Sequence, residues 1–228
     1  MKKKTLLTII SMILIAAVSV MGTLAWLTDT DTAINTFTVG QVDILLDEAD
    51  VDENGELILD DEGKPVDRVK ENEYHLIPGQ TYIKDPTVTV QADSEQSYVR
   101  MILTVHNASA VQGIIDKYEL GDFSALIGEW DEETWLYHGF TENTEDNTIS
   151  FEFRYKETVG AGVNAEVLPA LFEILIVPGQ VSNTELQALY DGGFQMVVHG
   201  HAIQAAGFAD EDTAWAAFDE QVKVSVTP

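Results

Sequence analysis

The sequence predicts an all-β protein: a jelly-roll-like β-sandwich with a few short inserted helices, preceded by an N-terminal signal-peptide helix. Three observations carry this. Short runs of alternating apolar and polar residues recur along the chain with Gly, Pro, Asn and Asp between them, the pattern of half-buried strands joined by turns. Helical spacing is confined to brief stretches between those runs. The first 25 residues follow a different layout, with Lys2, Lys3 and Lys4 ahead of an almost unbroken apolar run over 6–20.

That layout divides the chain into a signal peptide, 1–25, and a single β domain, 26–228. Small residues at Gly22, Thr23 and Ala25 close the apolar run, and the spacing of Thr23 and Ala25 predicts cleavage after Ala25. The alternative is retention as an uncleaved anchor, because the apolar stretch to Leu27 is about twenty residues, near the spanning length. Any membrane association would run through this leader.

Composition bounds the partners. The 228 residues carry a formal charge of −27, with 39 acidic residues against 12 basic ones, three of which lie in the leader. Such a surface repels phosphate backbones, which argues against nucleic acid, and it favours cations or basic polymers. With no cysteine, disulfides, thiolate metal sites and a catalytic thiol are excluded, and the domain must be held by packing alone. An exported chain without cysteine fits the envelope of a Gram-positive-type bacterium better than an oxidising eukaryotic lumen.

Taken in order, 36–46 reads as a first strand pair, Phe37 and Val39 before the break at Gly40 and Val42, Ile44 and Leu46 after it. The segment 47–73 is crowded with Asp and Glu, is punctuated by Gly55, Gly63 and Pro65, and reads as an exposed acidic hairpin insertion. Strands follow at 81–83 and 87–91. The clearest alternation is 98–106, where Val99, Met101, Leu103 and Val105 face the core and Arg100, Thr104 and His106 face away with Tyr98 and Ile102. Spacing over 110–130 suggests short helices; 149–155 and 172–177 read as strands. Ser182 and Glu185 form a capping box for a helix over 184–190, halted at Gly192 and Gly193. A strand over 194–205 and a helix over 210–218, packing Trp215 and Phe218 inward, complete the chain.

Two metal sites are candidates. Asp50, Asp52, Asn54, Gly55 and Glu56 reproduce the opening of a calcium loop, in which alternate oxygen ligands surround the ion and glycine permits a sharp bend. Its closing position is Asp61 rather than a bidentate glutamate, and the competing reading is an acidic β-turn built on Asn54-Gly55. His199 and His201 share one face of a strand and would hold a metal given a third ligand; the competing reading is a polar stripe. No Gly-x-Ser-x-Gly turn, Gly-rich phosphate loop or His-Glu-x-x-His segment is present, so nothing in the sequence demands an enzyme. The four tryptophans, Trp26, Trp130, Trp135 and Trp215, would suit a sugar-binding face; the competing reading, taken for the last three, is core packing.

The junction Gly22-Thr23-Leu24-Ala25-Trp26-Leu27-Thr28-Asp29, with Asn35-Thr36-Phe37-Thr38-Val39-Gly40 after it, resembles the leader and first strand of the TasA/camelysin family. Ile77-Pro78-Gly79-Gln80, Lys84-Asp85-Pro86-Thr87-Val88, Tyr98-Val99-Arg100, Leu171-Phe172, Ala202-Ile203-Gln204-Ala205 and Ala214-Trp215 extend the likeness over most of the mature chain. The resemblance implies export through a SipW-type signal peptidase, a jelly-roll fold, and a secreted subunit that self-associates into biofilm matrix fibres by lending an N-terminal strand to its neighbour. The donor would be 27–39, with Ile34, Phe37 and Val39 as apolar anchors; the competing reading is that this segment pairs within its own chain. The camelysin branch is described as surface metallopeptidases, and the acidic insertion departs from what TasA itself would carry.

Three functions therefore stand side by side: an extracellular matrix, fibre or cell-surface subunit; a surface metallopeptidase using His199 and His201; and a calcium-dependent binding module using Asp50, Asp52, Asn54, Glu56 and Asp61.

Overall fold

The computed structural model describes residues 41–128 and 130–226, excepting the side chains of 223–226. The leader, the junction at Ala25 and the donor residues Ile34, Phe37 and Val39 lie outside the described residues. Nine strands and three α-helices follow one another: β1 (Ile44–Asp47), β2 (Thr81–Ile83), β3 (Thr87–Val90), β4 (Ser97–His106), α1 (Ala108–Lys117), β5 (Trp135–Asn143), β6 (Thr148–Tyr155), β7 (Glu166–Val167), β8 (Ile174–Ile176), α2 (Asn183–Asp191), β9 (Met196–Gln204) and α3 (Glu211–Val226). A single 3-10 turn, Phe123–Leu126, sits between α1 and β5.

The strands are antiparallel throughout and form three sheets, β5-β6-β4-β9, β1-β3-β7 and β2-β8. The fold is β-rich, as the alternation predicts. Val99, Met101, Leu103 and Val105 of β4 are all buried; the first three meet Val88 and Val90 of β3 with Ile44 and Leu46 of β1 in the main core, and Val105 enters the second. Gly200 in β9 lets the two sheets approach: a Cβ there would lie 3.3 Å from Val88 Cγ2 and 3.5 Å from Leu46 Cβ. A second core gathers Val111, Ile114 and Ile115 of α1, Leu186 and Leu189 of α2, Leu175 of β8 and Tyr82 of β2. Trp135 is fully buried and its indole N–H donates to the carbonyl of Pro169 at 3.0 Å, which removes the cost of burying that donor.

Helix α2 carries the capping box read from Ser182 and Glu185, with both reciprocal bonds made. Lys117 and Tyr118 also bind Glu185, and these partners hold its carboxyl down at about 2.

Two elements differ from the sequence reading. Strand β5 was not legible as a strand because its alternation breaks: Trp135 pairs with Tyr155 and Tyr137 with Phe153, but after a bulge at His138 and Gly139 the next aromatic opposite β6 is Phe140, against Phe151. The extra residue keeps all three aromatics on one face while destroying the period of two. Gly139, at φ 117°, supplies the conformation the bulge needs.

The acidic segment 47–73 is exposed over most of 52–65, as read from the sequence, and carries isolated antiparallel bridges, Glu48 to Val69, Val51 to Leu57 and Leu59 to Pro65, rather than one continuous hairpin ladder. It folds as two successive copies of one tight turn, Asp52 to Glu56 and Asp60 to Lys64. In each, the aspartate Oδ1 accepts from the amides two and four residues on, and the glycine amide donates to the aspartate carbonyl. Gly55 and Gly63 occupy equivalent left-handed positions, φ 76° and 77°. The base of the segment is docked rather than exposed: Val51 is buried, Glu48 and Lys84 form a buried ion pair at 2.6 Å, and Arg68 bridges Asp47 and Asp85.

The two glycines separate conformational from packing effects. A Cβ on Gly55 would lie 2.7 Å from Tyr82 Cβ and 2.8 Å from its Cα, whereas one on Gly63 meets nothing within 4 Å. Gly63→Ala should therefore destabilise by about 1–2 kcal/mol, the left-handed penalty alone. Gly55→Ala should lose at least about 1 kcal/mol more, because backbone must move. Urea denaturation of the two variants checks the difference.

Candidate functional site

On the face of the four-stranded sheet turned away from the main core, β4 presents Arg100 between His201 of β9 and Arg154 of β6. Sequence alternation placed Arg100 on a wet face. Its side chain is only 5% exposed, because α3 lies over it. The guanidinium donates to both oxygens of Asp219, and its Nε donates to His201 Nδ1 at 3.2 Å. It also stands 4.4 Å from the centre of the Trp215 ring and 5.2 Å from that of Phe218. Arginine suits this position: its planar fork binds a carboxylate with two bonds while its face stacks on an indole.

A second arginine repeats the arrangement one strand over. Arg154 donates to Glu152 Oε1 at 2.6 Å and to Asp212 of α3 at 2.6 Å, so the acidic first turn of α3 and the later Asp219 are both tied to the sheet. Glu152 Oε1 also faces Arg100 at 3.6 Å. His138, from the β5 bulge, lies 3.8 Å from Glu211. Beside this network opens a groove of about 300 Å³ bordered by Arg100, Ile102, His138, Thr141, Glu152 and Asp219.

His201 packs its ring 4.9 Å from that of Phe218. Its pKa is pushed below the usual histidine value, first by burial and then by the Arg100 and His199 charges, against the weaker opposing pull of Asp219 and Glu152. The hydrogen bond from Arg100 requires a bare Nδ1, so the neutral ring is the one the site holds.

His199 and His201 do occupy alternate positions of β9, opposite Ile102 and Arg100. Among the described residues no group of three or more His, Asp or Glu side chains is placed to hold a metal ion, either there or around Asp50, Asp52, Glu56 and Asp61. The Asp52 carboxylate is engaged within its own turn: Oδ1 takes the amides of Asn54 and Glu56, and Oδ2 takes the Asn54 side-chain amide at 3.3 Å. Those bonds hold its pKa below the usual carboxylate range. The network on Arg100 and Arg154 was missed because its partners come from α3, 119 residues away in sequence for Arg100 and 58 for Arg154. The one usable signal was two arginines on strands read as half-wet, in a chain with few basic residues.

Comparison with known proteins adds no neighbour: no family model, curated protein or solved structure matches the chain.

The depressed pKa of His201 sets a direction for pH dependence. The unfolded ring binds its proton near pH 6.5 and the folded ring only below that, so the unfolded state holds more protons between the two values. This contribution to stability is complete above about pH 6.5 and is lost as pH falls from there through the folded value. His201→Gln, which keeps an acceptor for Arg100 but cannot titrate, should flatten the fall in stability between about pH 7 and 5. Denaturant midpoints for both proteins across that range provide the check.

Proposed function

We propose that the chain is an extracellular structural protein of a Gram-positive-type bacterium, a biofilm matrix, fibre or cell-surface subunit that assembles by N-terminal strand donation. In this reading it is a TasA/camelysin-like jelly roll, delivered through a SipW-type signal peptidase that cuts after Ala25.

The observation that carries the proposal is the edge of the four-stranded sheet. Strand β5 runs nine residues and has a sheet neighbour on one side only among the described residues. It exposes Leu136, Tyr137 and Phe140, the last at 58%. Long apolar edges invite another strand, since their free N–H and C=O groups are a template for backbone pairing and their side chains offer area to cover. Edges are blunted by lysine or proline, by other charges or by bulges; β5 contains no lysine or proline, and its protection is confined to Glu142 and the bulge at His138 and Gly139. The high negative charge keeps free subunits soluble and apart, so that association depends on a specific strand rather than on general stickiness. The segment 27–39, polar apart from anchors such as Ile34, Phe37 and Val39, suits a strand that must stay soluble until it docks.

Light scattering after size exclusion compares a chain starting at Leu27 with one starting at Gly40, and with the longer chain bearing Phe37→Asp. Only the unaltered longer chain should form large assemblies, and Tyr137→Lys on the β5 edge should reduce them. Equal monomeric behaviour of all forms would refute strand donation.

A further inference from the structure

From the groove beside Arg100 we infer that the outer face of the four-stranded sheet binds one ring of a neutral saccharide. The inference stands apart from strand donation, which concerns the sheet edge.

The groove is built at some energetic expense. Arg100 and Arg154 are placed under α3 with side chains 5% and 11% exposed, and burying a guanidinium is tolerated only where carboxylates accept its protons. A sheet face needing only cover would be served by apolar side chains, as the opposite face of β4 shows with Val99, Met101, Leu103 and Val105. The β5 bulge adjoins the same groove. It inserts one residue, brings His138 beside Glu211, and leaves Gly139 opposite Glu152 with open space where a Cβ would stand. Bulges that re-aim a side chain are enriched beside binding sites.

The chemistry of the walls selects the ligand. Arg100, Glu152 and Asp219 are the charged side chains on the groove, one cation against two anions, within a strongly acidic protein, and this repels phosphates and carboxylates. A resident metal ion has no group of three ligands among the described residues. What the walls do offer is paired donors and acceptors. Glu152 commits Oε1 to Arg154 and leaves Oε2 without a hydrogen-bond partner among the described residues. The Thr141 hydroxyl is equally unbonded among them, and the Ser150 hydroxyl is shared with Thr104 at 2.9 Å. Hydroxyl groups that donate and accept at once satisfy such a set. Ile102 supplies apolar surface on the same groove, matching the C–H face that a sugar ring presents between its hydroxyl edges. A volume of about 300 Å³ is at the small end of ligand pockets, enough for a single ring rather than a long chain bound lengthwise.

Saturation-transfer NMR on the full chain, with glucose, galactose, mannose and N-acetylglucosamine as separate probes, tests this. At least one probe should give transfer that survives EDTA. Thr141→Trp, which fills the groove from an exposed edge-strand position, should raise its dissociation constant at least about tenfold while leaving the thermal midpoint nearly unchanged. Glu152→Gln should weaken the same probe. Methylammonium and inorganic phosphate serve as charged controls. No transfer from any of the four sugars, transfer undiminished in Thr141→Trp, or binding of methylammonium or phosphate in preference to every sugar would overturn the inference.

Discussion

The bond between Arg100 and Asp219 organises the outer half of this molecule. Arg100 lies near the start of β4, a strand paired on both sides whose alternate residues Val99, Met101 and Leu103 enter the main core. Register alone forces its side chain onto the opposite face, where water would normally solvate it. Helix α3 instead covers that face, and the guanidinium becomes the point on which Asp219, His201, Trp215 and Phe218 converge. Arg100 is buried while Asp219 is 46% exposed, so taking away Asp219 would leave a buried guanidinium with Glu152 as its remaining carboxylate neighbour, a loss that solvent around Asp219 moderates. The position of α3 is thereby specified: its two carboxylates at Asp212 and Asp219 must meet two arginines fixed by the register of β4 and β6.

From this follows a division of labour between the faces and edges of one sheet. The inner face is committed to the core, the outer face to α3 and the polar groove, and among the described residues β5 alone combines a long edge with exposed aromatic and aliphatic side chains. An assembling subunit requires such a division, since an edge can accept a strand without disturbing either packed face. In the assembly proposed above, the same separation would leave the groove uncovered. The twin turns of 52–64 stand apart from both, each closed by its aspartate cap, and the first is seated on Tyr82 through Gly55.

The legible parts of the fold were those in which sequence period and burial agree. The alternation from Tyr98 to His106 and from Ile149 to Tyr155 reports a sheet with one apolar face, and Ser182 with Glu185 reports the start of α2, because both signals are local. Strand β5 was hidden by its bulge, which shifts Phe140 out of phase with Tyr137. The repeat at Asp52 and Asp60 was masked by the density of acidic residues around it, and the left-handed glycines that define it also suit an ordinary hairpin. The outer-face network was invisible for a different reason. Hydropathy distinguishes wet from dry faces but carries no information about which distant charged helix will cover an arginine. His199 and His201 were legible as a shared strand face, while the partner that defines His201, the Nε of Arg100, comes from 101 residues earlier.

Hydrogen–deuterium exchange on the native protein and on Arg100→Met measures the central claim most directly. Met fills similar volume and stacks on Trp215, so the sheet should survive; if Arg100 fixes α3, amides of Glu211–Val226 should exchange markedly faster while those of β4 and β6 keep their protection. Unchanged protection of α3 in that variant would contradict the account, because the helix would then be held by apolar packing alone.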